Sequence, residues 1–257
     1  FTGGGVRVDA TSHVHIADSN FVNFETYGLW GSQLLGMGHE LAVDRCRFSE
    51  CTLGFTQCGD ISKKHGTAIL QEFPDSHFRN VIVSCSRVGI INNAGANSFS
   101  QMHLWPTCNP EASEENMTVA FHDVKGSTRF EDSYIDNARL LVAGTSRGTS
   151  IMNTYFNGPA TLEVLPPDRD SVNEVDAAPI SDCQYWKGAM CGLMVIGNRF
   201  ACSNNRCGHI NITWVPIQAQ QIHVTNNVFE NNNGSLCSMK THCSDSGDCA
   251  DLFALCD

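Results

Sequence analysis

One phrase recurs along the chain and fixes what it can fold into. It is written most clearly at Gly192-Leu-Met-Val-Ile-Gly-Asn-Arg-Phe200, where short apolar alternations run through a polar corner into a phenylalanine. Versions of it end at Phe21, Phe48, Phe78, Phe99, Phe130, Phe156, Phe200 and Phe229, separated by 27, 30, 21, 31, 26, 44 and 29 residues. Repeats of this length stack into a solenoid, because one unit cannot bury its apolar face alone. The apolar residues alternate with period two, and Gly and Asn interrupt them densely, which excludes paired-helix repeats. A Leu-x-x-Leu-x-Leu core is absent, which argues against leucine-rich repeats. Short strands between polar corners at this period predict an all-β parallel β-helix of roughly eight coils.

The register of the phrase assigns roles. Two residues before each Phe stand Ser19, Cys46, Ser76, Asn97, Thr128, Thr154, Asn198 and Asn227. Such small polar residues suit tight bends, where they hydrogen-bond backbone groups. The phenylalanines are expected to point inward and stack from coil to coil at the ~4.8 Å spacing of neighbouring strands. The 44-residue interval holds Pro166-Pro167, mixed charges and the pair Cys183 and Cys191, and reads as a loop leaving the coil. A second excursion is expected around Pro106–Asn116. Residues 1–236 are assigned to the solenoid, and 237–257 to a Cys-rich cap or the start of a following module. The chain opens on Phe1 rather than Met, which suggests a processed or partial chain.

Thirteen cysteines without a single Cys-x-x-Cys pair favour disulfides over zinc. Candidate bridges are Cys58 with Cys85, Cys183 with Cys191, and Cys207 with Cys237, each suggested by its place in the register or at a loop base. An odd count leaves at least one thiol outside such pairs. Sequons begin at Asn116, Asn211 and Asn233, marking candidate glycosylation sites. Together these features predict a secreted or extracellular protein. The formal charge of −11 disfavours nucleic acid and anionic membranes as partners, and no apolar run is long enough to span a bilayer.

Several patterns resemble chemistry without supporting it. Gly144-Thr-Ser-Arg-Gly148 matches a nucleophile elbow, but a strand phrase rather than a helix follows it. His39-Glu40 begins a zinc motif that fails because Val43 stands where the second His belongs. Asp245, Asp248 and Asp251 have the wrong spacing for a helix-flanked calcium loop, so calcium is left as the one possible ion, at an irregular site, and no cofactor is expected. The richest polar cluster combines His103, Asp123, Glu131, Asp132, Asp136 and Arg139, which neighbouring coils are expected to bring to one patch. Paired carboxylates across a sugar groove serve glycoside hydrolysis, and a base beside Arg serves a lyase. The competing reading is the solvated face of an acidic surface. A weaker cluster gathers Lys63, Lys64, His65, Glu72 and Asp75. Trp30, Trp105, Trp186 and Trp214 are candidates for stacking on sugar rings or for packing under loops.

At Gly95-Ala-Asn-Ser-Phe-Ser-Gln-Met-His-Leu-Trp105 the chain resembles the pectate-lyase-like superfamily, most of all the coils of phage tailspikes and related β-helical proteins. Asn97, Phe99, His103 and Trp105 carry the likeness, and with the repeats it covers roughly residues 12–235. The resemblance implies a right-handed, three-sheeted β-helix and a polysaccharide or glycan ligand, with His103 and Trp105 in its binding. The Asp-Asp and Gly-His-Gly signatures of polygalacturonases and the Arg-x-Pro-x-x-Arg signature of calcium pectate lyases are absent. Two functions therefore stand side by side. One is a carbohydrate-active lyase or hydrolase using Asp123, Glu131, Asp132, Asp136 and Arg139. The other is a non-catalytic module of an extracellular wall, filament or appendage, associating with other extracellular chains, or a glycan-binding adhesin.

Overall fold

The computed structural model describes residues 4–50, 66–105, 118–143, 148–165, 192–203, 206–212, 221–230 and 237–239. Among them there is no helix, and the chain passes repeatedly through three parallel sheets. The first sheet stacks Val6–Asp9, Tyr27–Ser32, Thr67–Gln71, Val88–Asn92, Val119–Asp123, Arg139–Ala143, Thr161–Leu165, His209–Ile212 and Cys237–Met239. The second stacks Ser12–Ala17, His39–Asp44, His77–Arg79, Ser98–Ser100, Arg129–Glu131, Thr149–Met152, Gly192–Ile196 and Gln221–Thr225. The third stacks Asn20–Val22, Arg47–Ser49, Ile82–Ser84, His103–Trp105, Tyr134–Asp136, Tyr155–Asn157, Arg199–Phe200 and Val228–Phe229. Apart from the short antiparallel pair of Cys202–Ser203 with Arg206–Cys207, consecutive strands lie in different sheets, and each strand pairs with its counterpart one circuit away. That arrangement fits a parallel β-helix-like solenoid. The first sheet continues through Met239, beyond the boundary expected at residue 236.

One kind of corner sets the register. Between the second and third sheets the chain turns on a single residue with positive φ: Asp18, Arg45, Asn80, Gln101, Asp132, Asn153, Gly197 or Asn226. Asp and Asn tolerate this left-handed region better than most residues, which explains their frequency here. In the first seven of these the amide donates to a carbonyl of the next circuit, as from Asn80 to Ser100 (3.0 Å) and from Asp132 to Met152 (3.1 Å). The next residue closes the bend when it is small and polar. The Ser19, Ser133 and Thr154 hydroxyls donate back to the carbonyls of Ala17, Glu131 and Met152 at 2.8, 2.6 and 3.1 Å.

The phenylalanines are interior, but they form two columns rather than one. Phe21, Phe48, Phe156, Phe200 and Phe229 lie in the third sheet, whereas Phe78, Phe99 and Phe130 lie in the second. In the three middle circuits the third-sheet position is filled by Val83, Leu104 and Ile135 instead. The repeated phrase is thus spelled at two different corners. Ser76, Asn97 and Thr128 belong to the bend between first and second sheets, and Ser19, Cys46, Thr154, Asn198 and Asn227 to the next one. Stacking follows the columns: Phe21 on Phe48 and Phe156 on Phe200 at 4.5 Å, and Phe78 on Phe99 at 4.7 Å. Phe121 of the first sheet meets Phe99 edge-on at 4.8 Å and so extends the second-sheet column towards the first sheet.

Candidate functional site

The residues expected to share one patch are distributed over the whole cross-section. Asp123 ends a first-sheet strand whose alternation turns Phe121 and Asp123 inward and His122 outward, so its carboxylate is fully buried. There it accepts from Asn92 Nδ2 (3.0 Å), Thr128 Oγ1 (2.9 Å), the Gly126 amide (3.2 Å) and Thr149 Oγ1 (2.8 Å). Burial raises its pKa and outweighs these four donors. Asn92 Oδ1 in turn accepts from Asn97, whose Oδ1 caps the Ser76 amide. This is an internal ladder at the bend between first and second sheets, away from any surface patch.

The other members separate as well. Glu131 faces outward from the second sheet and is held by Arg129 at 2.7 Å. Asp132 is one of the positive-φ corner residues and accepts from Asn153 Nδ2 at 3.3 Å. Arg139 lies on the first sheet, forked onto Glu163 by two bonds of 2.7 Å. Burial disfavours the Glu163 charge, but the Arg139 bonds and charge and the Thr161 hydroxyl outweigh it and hold its pKa low. Arg139 is thus set apart from two of the residues expected beside it, the buried Asp123 and the corner residue Asp132.

Asp136, His103 and Trp105 do come together, on the outer face of the third sheet. Parallel pairing places His103 beside Tyr134, Tyr134 beside Tyr155, and Tyr155 beside Arg199 in one outward row. Asp136 and Asn157 are neighbours in the adjoining row. His103 Nε2 stands 3.3 Å from Asp136 Oδ2, and Asn157 Nδ2 donates to Asp136 Oδ1 at 2.6 Å. The imidazole is braced edge-on by Trp105 at 3.9 Å and Tyr134 at 4.8 Å. Tyr134 stacks on Tyr155 at 5.0 Å, and Arg199 covers the same Tyr155 ring at 5.5 Å while pairing with Glu230. Burial first, then the Asp136 charge and hydrogen bond, push the Tyr134 hydroxyl up to about 12, so it remains a donor at neutral pH. The row thus presents hydroxyl, carboxylate, amide and imidazole edges to solvent, while the tyrosine faces are largely used against each other.

Tyr134, Tyr155 and Asn157 were not singled out from the sequence. The signal was available in the aligned triplets His-Leu-Trp, Tyr-Ile-Asp and Tyr-Phe-Asn, whose outer positions share one face once the register is known. Among the described residues no group of three or more His, Cys, Asp or Glu side chains is placed to hold a metal.

Several expectations fall outside the described residues: Asn116 and Asn233, Cys58, Cys183 and Cys191, the Lys63–His65 cluster, Trp186 and Trp214, and the three C-terminal aspartates. Asn211 lies on the outward side of a first-sheet strand, next to Glu163. Cys85 and Cys202 are each disulfide-bonded, and Cys46 is a buried free thiol. The backbone register sets Cys207 opposite Cys202 in a short antiparallel pair, and Cys237 opposite Ile210 in the first sheet. Cys207 and Cys237 therefore do not occupy equivalent positions of adjacent circuits.

The class defined by this arrangement is an all-β, three-sheeted parallel solenoid with a polar–aromatic row on one outer face. Comparison with protein-family models, curated proteins and solved structures yields no match.

Proposed function

We propose that the protein is an extracellular carbohydrate-active β-helix, right-handed, of roughly eight coils and akin to the pectate-lyase-like superfamily. It lays a saccharide chain along the outer row of the third sheet. The observation that carries this reading is the His103–Asp136 pair at 3.3 Å, set in a continuous row of hydrogen-bonding side chains. An imidazole oriented by a carboxylate on one nitrogen can exchange a proton through the other. Asn157 and Tyr134 fix Asp136 in turn, so the pair is pre-positioned. Asp123 and Glu131 are engaged elsewhere and do not face Asp136 as a second carboxylate. Lyase-type proton abstraction by His103 is therefore better supported than glycoside hydrolysis. The cysteine content and sequons support an extracellular site; elimination needs a uronic acid whose carboxyl acidifies the C5 proton, and the −11 charge favours such a chain with its own charge bridged by calcium over an unassisted polyanion.

A structural rod is the second reading. It is favoured by the self-satisfaction of the surface: Arg139 with Glu163, Arg129 with Glu131 and Arg45 with Asp18 leave few charges for a ligand. Turnover assays on plant and algal polysaccharides decide between them, using the wild type, His103→Ala, Asp136→Asn and the remote control Arg129→Ala. Product formed by the wild type and control, and reduced at least 100-fold in the other two, supports the carbohydrate reading. Neither binding nor turnover across a broad panel leaves the rod.

A further inference from the structure

We propose that Tyr134 gives the leaving oxygen its proton, and that its contact with His103 restricts elimination to uronic acids of the glucuronate and mannuronate configurations. In these the C5 hydrogen and the C4 oxygen lie on the same face of the sugar ring. The inference rests on the lyase reading above. A base alone does not complete that reaction: as the C5 proton is taken, the C4–O bond breaks, and a sugar oxygen leaves poorly without a proton. An acid is therefore needed within reach of the carbon next to the one the base attacks, and the placement of the two groups decides the stereochemistry.

Tyr134 is the neighbour of His103 in the outward row of the third sheet, one strand along. Leu104 and Ile135, which follow them in the chain, are fully buried, so both polar side chains leave the same face of the sheet. Asp136 holds both of them. Its Oδ2 lies 3.3 Å from His103 Nε2, which leaves Nδ1 for the substrate, and the Tyr134 hydroxyl hydrogen-bonds to the same carboxylate. The Tyr134 ring is held between His103, edge-on at 4.8 Å, and Tyr155, stacked at 5.0 Å. Burial, then Asp136, push the hydroxyl up to about 12, so Tyr134 meets the sugar as an acid rather than a base.

The step balances without any further reactant. His103 Nδ1 takes the C5 proton, the C–H electron pair becomes the C4–C5 double bond, and the C4–O pair leaves with the oxygen. That oxygen takes the Tyr134 proton. The imidazolium then returns one proton to the phenolate through solvent. The contact between the two rings excludes the alternative geometry. At 4.8 Å between centroids, edge to face, they touch, so no sugar can stand between them with one group on each side of its ring. Base and acid reach one face, and elimination is syn. Galacturonate and guluronate carry the C5 hydrogen and C4 oxygen on opposite faces and are poor substrates for such a pair.

The test measures initial rates, from the ultraviolet absorbance of the new double bond, on polyglucuronate, polymannuronate, polygalacturonate and polyguluronate. The proteins are the full-length wild type, Tyr134→Phe and the remote control Arg129→Ala, with thermal melting to report folding. Turnover of a glucuronate or mannuronate chain, on the order of 100-fold faster than of the other two, is the expected result. Tyr134→Phe should lower kcat by on the order of 100-fold, and that loss should largely disappear with a substrate carrying nitrophenol at C4, which leaves without a proton. Preferential turnover of galacturonate or guluronate chains overturns the inference and leaves the lyase reading standing. So does a folded Tyr134→Phe as active as the wild type, or one whose loss is the same with the nitrophenol leaving group. Turnover of none of the four chains overturns the inference together with the lyase reading.

Discussion

Replacing Asp123 with alanine separates a structural role from a catalytic one. Its carboxylate is fully buried and accepts four hydrogen bonds, from Asn92, Thr128, Gly126 and Thr149. Alanine leaves those donors facing a small void. Asn92 keeps the Ala94 carbonyl at 3.0 Å and Thr128 keeps a long contact to Gly126 at 3.5 Å, so the full loss falls on about two donors. At roughly 1–3 kcal/mol for each stranded buried group, the expected destabilisation is about 3–5 kcal/mol. Asp123→Asn retains an acceptor but turns one oxygen into a donor facing the Thr149 hydroxyl, and is expected to cost about 1–3 kcal/mol.

The pH dependence adds a second reading of the same site. Because burial raises the folded-state pKa, the native protein binds more proton than the unfolded chain between the two pKa values. The contribution of Asp123 to stability is full below the unfolded carboxylate value and is lost as pH rises through the raised folded one. Asparagine cannot titrate, so the stability gap between wild type and Asp123→Asn narrows across that window. Urea denaturation at a series of pH values measures both effects. A loss below about 0.5 kcal/mol in Asp123→Ala, the range of ordinary surface substitutions, would refute the internal placement of this residue.

Other substitutions probe the core, the corners and the surface. Phe99→Ala removes the ring that links Phe78, Phe121 and Phe130, and is expected to cost about 3–5 kcal/mol in chemical denaturation. Gly197 turns with φ +69°, and an added Cβ would lie 2.9 Å from Asn153 Oδ1. Gly197→Ala should therefore lower stability by about 1–2 kcal/mol, whereas Asp132→Asn, at an equivalent corner, should be near neutral in both stability and activity. Glu163 has a lowered folded pKa, so its contribution is present above the unfolded value and is lost as pH falls through the folded one. Glu163→Gln should flatten the acid limb of the stability curve, and an unchanged limb would show that the Arg139 fork contributes nothing there.

The architecture was legible because the fold repeats itself. Period-two alternation, recurrent polar corners and spacing near 20–31 residues are visible without knowing any contact. Which sheet a phenylalanine joins was not visible. Phe78 and Phe48 are both preceded by a small residue two positions earlier, yet the bend before Phe78 is the one entering the second sheet. Local spelling is the same at both corners, and only pairing between circuits distinguishes them. Asp123 illustrates another limit. Alternation from Phe121 predicts an inward side chain, while charge argues for the surface. Two of the four donors that reconcile them, Thr149 and Asn92, lie 26 and 31 residues away, beyond any local pattern. His103, Trp105 and Asp136 could be nominated individually, but their meeting depends on the register of adjacent third-sheet strands.

The row from His103 through Tyr134 and Tyr155 to Arg199 crosses three strand spacings, about 14 Å. Calorimetric titration with a size series of the best-bound oligosaccharide is the most direct test of the carbohydrate reading. Affinity should rise with oligomer length until the ligand spans this row and then level off, and Asp136→Asn should weaken the plateau at least tenfold. Affinity independent of length, or unaffected by Asp136→Asn, would contradict the placement of a glycan on the third sheet.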